Sequence, residues 1–366
     1  MKNHLTRRHF GLGVVAGFVA MNSKFASAAD EPAVDLANPK HHKLAAEYSA
    51  SCKGISMLVR VDDKELFSDY PNSGKKDRAH ELASGTKSFC GVLVAAAIQD
   101  KLISSWDEKV SDTLSEWKED TKKKTVTLRQ LLSLTSGMAG GGIGRVPTYA
   151  DAMASEFKFD PGQRFQYGPA PFQTFGEVLR RKLEPKKESP YDYLQRRILK
   201  PIGLQVGSWR KGADGQIHLP SGAALTATEW AKFGEFVRAG GVHEGKELLS
   251  SAALDECFVP GKINPSYGLS FWLASGAGNT REALAPGLAR FRGGGEKKDD
   301  LRVPDLVFAA GAGNQRLFIS RKLKLIAIRQ ADGILAALGG NDSTGWNDRE
   351  FLSRLMYGTD AAGKKL

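Results

Sequence analysis

Five times in this chain a serine is followed three residues later by a lysine. On a helix that spacing puts an alcohol and an amine one turn apart on the same face. A serine hydroxyl is a weak nucleophile until a neighbour takes its proton, and lysine can act as that neighbour only while uncharged. Burial and the positive end of a helix both push an ammonium toward the neutral state. Four of the pairs, Ser73/Lys76, Ser115/Lys118, Ser155/Lys158 and Ser208/Lys211, lie in polar text rich in Lys, Glu or Gly, where a solvated charge is the simpler reading. The fifth, Ser84/Lys87, follows the small-residue turn Ala83-Ser84-Gly85 and opens an apolar run reaching Ile98, which predicts a buried helix entered at Ser84. On this pair alone, a nucleophile with its base and a helix cap beside a surface lysine stand at even odds.

The elements that must position such a pair can be read outward from it. Ile55–Val61 and Glu65–Tyr70, joined by Asp62-Asp63-Lys64, predict a β-hairpin after a first helix. Thr125–Met138 reads as a capped helix running into a turn, and Gly140–Gly144 as a flexible loop. That loop follows a helix and lacks the Gly-Lys-Ser/Thr ending of a phosphate loop. Helical text covers Phe172–Leu183, Tyr191–Leu199 and, after the cap at Leu225–Thr228, a stretch to Ala239. The last third turns to strands: Tyr267–Leu273, Leu306–Gly311, and a hairpin of Gln315–Ser320 and Leu325–Gln330, before a closing helix from Trp346 to Tyr357. Strands at both chain ends with helices between them predict an α+β fold. Its antiparallel sheet is built from both termini (about 45–83 and 225–366), with flanking helices and a mostly helical insertion (about 84–224).

The 366 residues are 41% apolar and 25% charged, as in a soluble globular enzyme. The formal charge of +11 falls to +7 when the four cations of the first 28 residues are set aside. No aromatic-basic interleaving accompanies that excess, so nucleic acid is not an expected partner. The densest basic cluster, Arg180 to Lys187, reads as a solvated helix end. Three cysteines cannot form a disulfide framework, and whether Cys52 and Cys257 pair is left open. The histidines are scattered, so neither metal nor cofactor is expected. At the start, Thr6-Arg7-Arg8-His9-Phe10-Gly11-Leu12 leads into a short apolar run and Ala26-Ser27-Ala28. This resembles a twin-arginine export signal spanning residues 1–28, ahead of a domain at 29–366. The apolar run is too short for a stable membrane anchor.

Four stretches in this order resemble the serine β-lactamase and penicillin-binding-protein superfamily: Ala83-Ser84-Gly85-Thr86-Lys87-Ser88-Phe89, Val126–Gly137, Pro161-Gly162-x-x-Phe165-x-Tyr167, and Lys200-Pro201-Ile202-Gly203-Leu204. The nearest branch is that of class C enzymes, D-alanyl-D-alanine carboxypeptidases and related esterases and amide hydrolases, and the likeness spans about residues 45 to 355. It implies a β-lactamase/transpeptidase-like fold and an acyl-enzyme on Ser84, with Lys87 and Tyr167 sharing the roles of base and acid. Tyr149, in Tyr149-Ala150-Asp151, also mimics the family's tyrosine motif, but the Pro-Gly turn and Phe165 favour Tyr167. The resemblance places the oxyanion donors at the Ser84 and Ala312 backbone N–H groups, with Gly311 and Gly313 along the substrate strand.

Two departures matter. Ala309 stands where the family carries a Lys or His that binds substrate carboxylate, and Pro169 stands where it carries Asn. The expected activity is therefore an ester or amide hydrolase acting on a small ester, amide or peptide-like molecule. A low-activity β-lactamase or D-Ala-D-Ala peptidase is the first alternative, and a non-catalytic penicillin-binding-like sensor or binding protein the second.

Overall fold

The computed structural model describes residues 33–274, 303, 305–340 and 344–366. The reading of residues 1–28 as an export signal lies outside them. Asn38 caps α1 (Pro39–Ser51) by accepting from the Lys40 N–H at 3.1 Å. The chain then runs into β1 (Gly54–Val61) and, through Asp62 and Asp63, both in the left-handed region, into β2 (Lys64–Asp69). β3 (His80–Glu81) precedes α2 (Ser88–Gln99), every residue of which from Ser88 to Ala97 is buried. The middle of the chain is mostly helical, with α3 (Leu128–Leu132), α4 (Tyr149–Ala154), α5 (Ala170–Leu183) and α6 (Pro190–Leu194), interrupted by β4 (Ser208–Trp209) and β5 (Ala223–Leu225). α7 (Ala227–Arg238), β6 (Val242–His243), β7 (Lys246–Glu247) and α8 (Ser251–Asp255) follow. The chain ends in β8 (Trp272–Leu273), β9 (Val307–Gly311), β10 (Gln315–Ser320), β11 (Leu325–Ala331), α9 (Ile334–Leu338) and α10 (Asp348–Tyr357).

Six strands form one antiparallel sheet in the order β2-β1-β11-β10-β9-β8. The central pairing of β1 with β11 joins the two ends of the chain, as the α+β reading requires. Every residue of β10 and β11 is buried, because helices cover the sheet on both faces. Phe318 stacks on Phe351 of α10 with ring centres 5.9 Å apart, whereas its neighbour Leu317 lies against Gly234 of α7. Successive strand side chains point to opposite faces, so α7 and α10 sandwich the sheet. A smaller sheet, β3-β5-β4, sits beside the start of the helical region.

Two sequence readings change. The strand expected over Tyr267–Leu273 shrinks to Trp272–Leu273, because the Gly268 N–H bonds to the Phe271 carbonyl (2.9 Å) and Ser270 turns the chain at φ +69°. The basic cluster at the end of α5 is largely paired rather than solvated: Arg180 and Arg181 hold Glu177, Arg181 also holds Glu116, and Lys182 reaches Glu108 at 2.8 Å. All three cysteines are free and buried.

The α7–sheet contact is tight enough to test. A Cβ on Gly234 would stand 2.8 Å from Leu317 Cδ1 and 3.1 Å from Ile326 Cδ1. Gly234→Leu should destabilise the fold by about 1–3 kcal/mol through overpacking. The check is the urea midpoint at constant m-value; an unmoved midpoint contradicts the packing described.

Candidate active site

The serine of the fifth pair sits on a turn that the surrounding chain holds from two sides. The sequence places the helix entry at Ser84, but regular α-helix starts only at Ser88, after a 3₁₀ turn over Ala83–Lys87. The turn is tightened by the Gly85 N–H on the Leu82 carbonyl (2.9 Å) and by Thr86 Oγ1 on the Ala83 carbonyl (2.8 Å). Ala83 occupies the left-handed region at φ +46°, a strain of order 1–3 kcal/mol that persists only where neighbours impose it. β5 is one such neighbour: Leu82 donates to the Ala223 carbonyl (2.9 Å), and the Ala223 N–H donates back to Thr86 Oγ1 (3.3 Å). β9 is the other. A Cβ at Gly311 would stand 2.1 Å from the Leu82 carbonyl oxygen, so the strand presses its backbone directly on the turn.

Lys87 is only 4% exposed. Its Nζ lies 2.9 Å from Ser84 Oγ and donates to the Pro220 carbonyl at 3.1 Å. It also sits 4.8 Å from the centre of the Tyr167 ring. Burial lowers its pKa to about 7, opposed weakly by the neighbouring Cys90 thiol. In each of the other four Ser-x-x-Lys pairs the lysine is exposed. Tyr167, 7% exposed, is stacked on Trp272 at 5.9 Å and flanked by Phe165 and Tyr267. Burial pushes its phenol up to about 12, offset in part by a hydrogen bond with Ser84 and by the charge of Arg316, which Asp348 holds at 2.9 Å. At neutral pH the phenol therefore keeps its proton, while the amine is near the point of releasing one.

Ser84, Lys87, Tyr167 and Ala312 line a single cleft. Two walls come from the 138–150 loop, through Ile143, Gly144 and Val146, and from the 209–222 segment, through Arg210, His218, Pro220 and Ser221. Tyr149 is not at the cleft: its ring fills the space left by Gly176, where a Cβ would stand 2.3 Å from Tyr149 Cζ. Gly311 and Gly313 do not line the cleft either. The first faces Leu82, and the second, at φ +72°, turns the chain against the Ile334 N–H. Ala309 is buried in the core, so position 309 offers the cleft no cation. Gly140 of the 140–144 loop is explained by packing, since a Cβ there would stand 2.4 Å from the Tyr167 carbonyl. No group of His, Cys, Asp or Glu among the described residues is placed to hold a metal.

Several contributors carry no residue-type signal that the sequence reading used. The Pro220 carbonyl that receives the Lys87 amine is a backbone atom. Its neighbour Leu219 donates its N–H to Gln173 Oε1 (3.0 Å), and Gln173 Nε2 donates to the Pro147 carbonyl (2.9 Å). That fully buried glutamine on α5 ties two cleft walls together, and a polar residue on an apolar helix face was the available hint. Arg210 and Glu81 form an ion pair at the cleft, and the three side chains of α9 that border it lie in a helix too short to announce itself.

A serine-lysine pair with its lysine buried, at the head of an apolar helix and against a strand of the antiparallel sheet closed by both chain ends, defines the serine hydrolase class of the β-lactamase and penicillin-binding-protein superfamily. The chain belongs to the Beta-lactamase family, whose model matches residues 41–333. Solved structures share the fold. A penicillin-binding protein homologue from Caulobacter crescentus superposes with a TM-score of 0.59 at 16% identity, covering 80% of this chain and 92% of its own. A family VIII carboxylesterase gives 0.58 at 17% identity, with 84% and 98% covered. EstCE1, a hydrolase with promiscuous acyltransferase activity, gives 0.60 at 12% identity, with 87% and 97% covered. Among proteins of curated function, none matches the chain.

Because Gly311 meets a backbone carbonyl that cannot swing away, Gly311→Ala should displace the turn bearing Ser84 and destabilise the protein by about 1–3 kcal/mol. Thermal or urea unfolding, together with the reactivity of Ser84 toward a small phosphonate, measures both effects. Wild-type stability and reactivity in this variant contradict the assignment of Gly311 to the turn.

Proposed function

We propose that this protein cleaves a small ester or amide through an acyl-enzyme on Ser84, and that it works outside the cytoplasm after export on the Arg7-Arg8 leader. The observation that carries the catalytic reading is the 2.9 Å contact between Ser84 Oγ and a lysine amine nearly excluded from water. In the forward step Ser84 Oγ attacks the carbonyl carbon and its proton passes to neutral Lys87 Nζ. The oxygen of the tetrahedral intermediate faces the N–H groups of Ser84 and Ala312. Tyr167, which holds its proton at neutral pH, gives it to the departing alcohol or amine as that bond breaks, and the Lys87 ammonium reprotonates the phenol. Water then attacks the acyl carbon, with the same groups working in reverse order.

The departures from the family pattern support an ester or amide over a β-lactam or a D-Ala-D-Ala peptide. Alanine at 309 removes the cation that receives a substrate carboxylate, and proline at 169 removes a side-chain amide, while the nucleophile, its amine and the backbone donors stay in place.

A fluorophosphonate probe should label Ser84 in the wild type and not in Ser84→Ala. Labelling should slow by about 10²–10⁴ in Lys87→Met and Tyr167→Phe, the usual worth of a positioned acid or base. Equal labelling of Ser84→Ala contradicts the assignment of the nucleophile. Only the free amine accepts the proton, so the labelling rate should rise as pH passes about 7 and then level. The same shift has a stability sign. The unfolded chain binds this proton more tightly, so Lys87 lowers stability below about pH 7, and the cost fades as pH climbs toward 10.5. A labelling midpoint near 10.5 contradicts the role of burial.

A further inference from the structure

Away from the reacting atoms, much of the cleft wall is carbon. α9 contributes Ile334, Leu335 and Leu338, and the loop opposite contributes Ile143 and Val146. Leu335 is 84% exposed, far more than any other large hydrophobic among the described residues. A leucine this open adds little to folding, and an apolar surface bordering a reactive cleft is where a ligand can cover it. α9 is also fixed relative to the chemistry. Ala337 clusters with Ala83 and Ala312, and Ile334 and Leu338 pack against them, so the helix rests on the residue before the nucleophile and on the second oxyanion donor. Across the cleft, the Cβ position of Gly144 is 3.4 Å from Leu338 Cδ1, so the two apolar walls meet.

The charges of the cleft are already engaged. Lys87 is bonded to Ser84 and Pro220, and Arg210 pairs with Glu81. Burial and the nearby Arg210 both lower the pKa of His218, which favours its neutral form. None of the described residues lining the cleft is therefore an unpaired cation ready to receive a carboxylate.

We infer that the substrate carries an uncharged apolar chain next to the scissile carbonyl, seated between α9 and the Ile143–Val146 loop, with Leu335 and Val146 setting the preference for its length. The inference rests on the acyl-enzyme reading above and names the substrate class of that site. The chain can belong to the acyl group or to the alcohol, and both arrangements present the same chemistry to the wall.

The experiment measures kcat/KM of the purified full chain on two ester series. p-Nitrophenyl acetate, butanoate, hexanoate and octanoate lengthen the acyl side, and acetates of ethanol, butanol and hexanol lengthen the alcohol side. A fully buried methylene is worth roughly fourfold; on a wall open to water we expect about twofold per methylene in one of the two series. p-Nitrophenyl hemisuccinate, matched to the butanoate ester but charged, should be slower by about tenfold or more, because its carboxylate finds no partner. In Leu335→Gln and Val146→Gln the ratio of longest to shortest ester should fall, with the loss in KM rather than kcat, as for uniform binding. A flat or declining profile in both series, or a hemisuccinate as good as butanoate, overturns the inference. If Ser84 is labelled by a small phosphonate while both profiles are flat, only the apolar seat fails. If Ser84 is neither labelled nor needed for turnover, the acyl-enzyme reading fails with it.

Discussion

The ammonium of Lys87 has lost nearly all of its water, and much of the surrounding structure follows from that one constraint. A charge taken out of solvent is costly unless it is paired or surrenders its proton, and among the described residues no carboxylate bonds to this one. What it meets instead is a serine oxygen and a backbone carbonyl, which are partners suited to an amine near neutrality. The apolar helix behind it, from Phe89 through Ala97, excludes water, and the aromatic cluster around Tyr167 closes the other side. The same desolvation acts in opposite directions on the two groups, lowering the amine and raising the phenol. One environment thus holds an amine near neutrality beside a phenol that keeps its proton, a separation common to sites that move protons.

Holding that geometry requires rigid neighbours, and the topology supplies them. The turn carrying Ser84 is wedged between β5 and β9, and β9 belongs to the sheet closed by pairing β1 with β11. The strained Ala83 is tolerable because hydrogen bonds with β5 and the close approach of β9 at Gly311 over-determine it. Gly311 matters here as an absence of side chain that lets one backbone touch another. Ala312, the proposed oxyanion donor, follows that contact immediately, so its position is coupled to that of Ser84.

Much of this was legible in the sequence because it rests on side-chain patterns. Runs of β-forming residues marked the terminal strands, the caps read at the start of Thr125–Met138 and around Leu225–Thr228 marked helix starts, and the apolar run after Ser84 singled out one Ser-x-x-Lys pair among five. The Pro-Gly turn before Phe165 and Tyr167 separated that tyrosine from Tyr149, which the structure buries away from the cleft. What escaped depends on backbone atoms or tertiary contact. The 3₁₀ entry at Ala83 is imposed by β5 and β9, and the Pro220 carbonyl has no residue-type mark. α9 is only five residues long, too short to show a helical period. The strand read over Tyr267–Leu273 failed because a turn bond at Gly268 outweighed its β-forming residues.

The most direct test of the central constraint is the ionisation of Lys87 itself in the resting protein. The side-chain carbon next to the amine, isotopically labelled and assigned by comparison with Lys87→Met, can be followed by NMR as pH is varied. The account predicts a titration near pH 7, well below the ordinary lysine value of 10.5. A resonance that titrates near 10.5, with the chain fully folded, contradicts it.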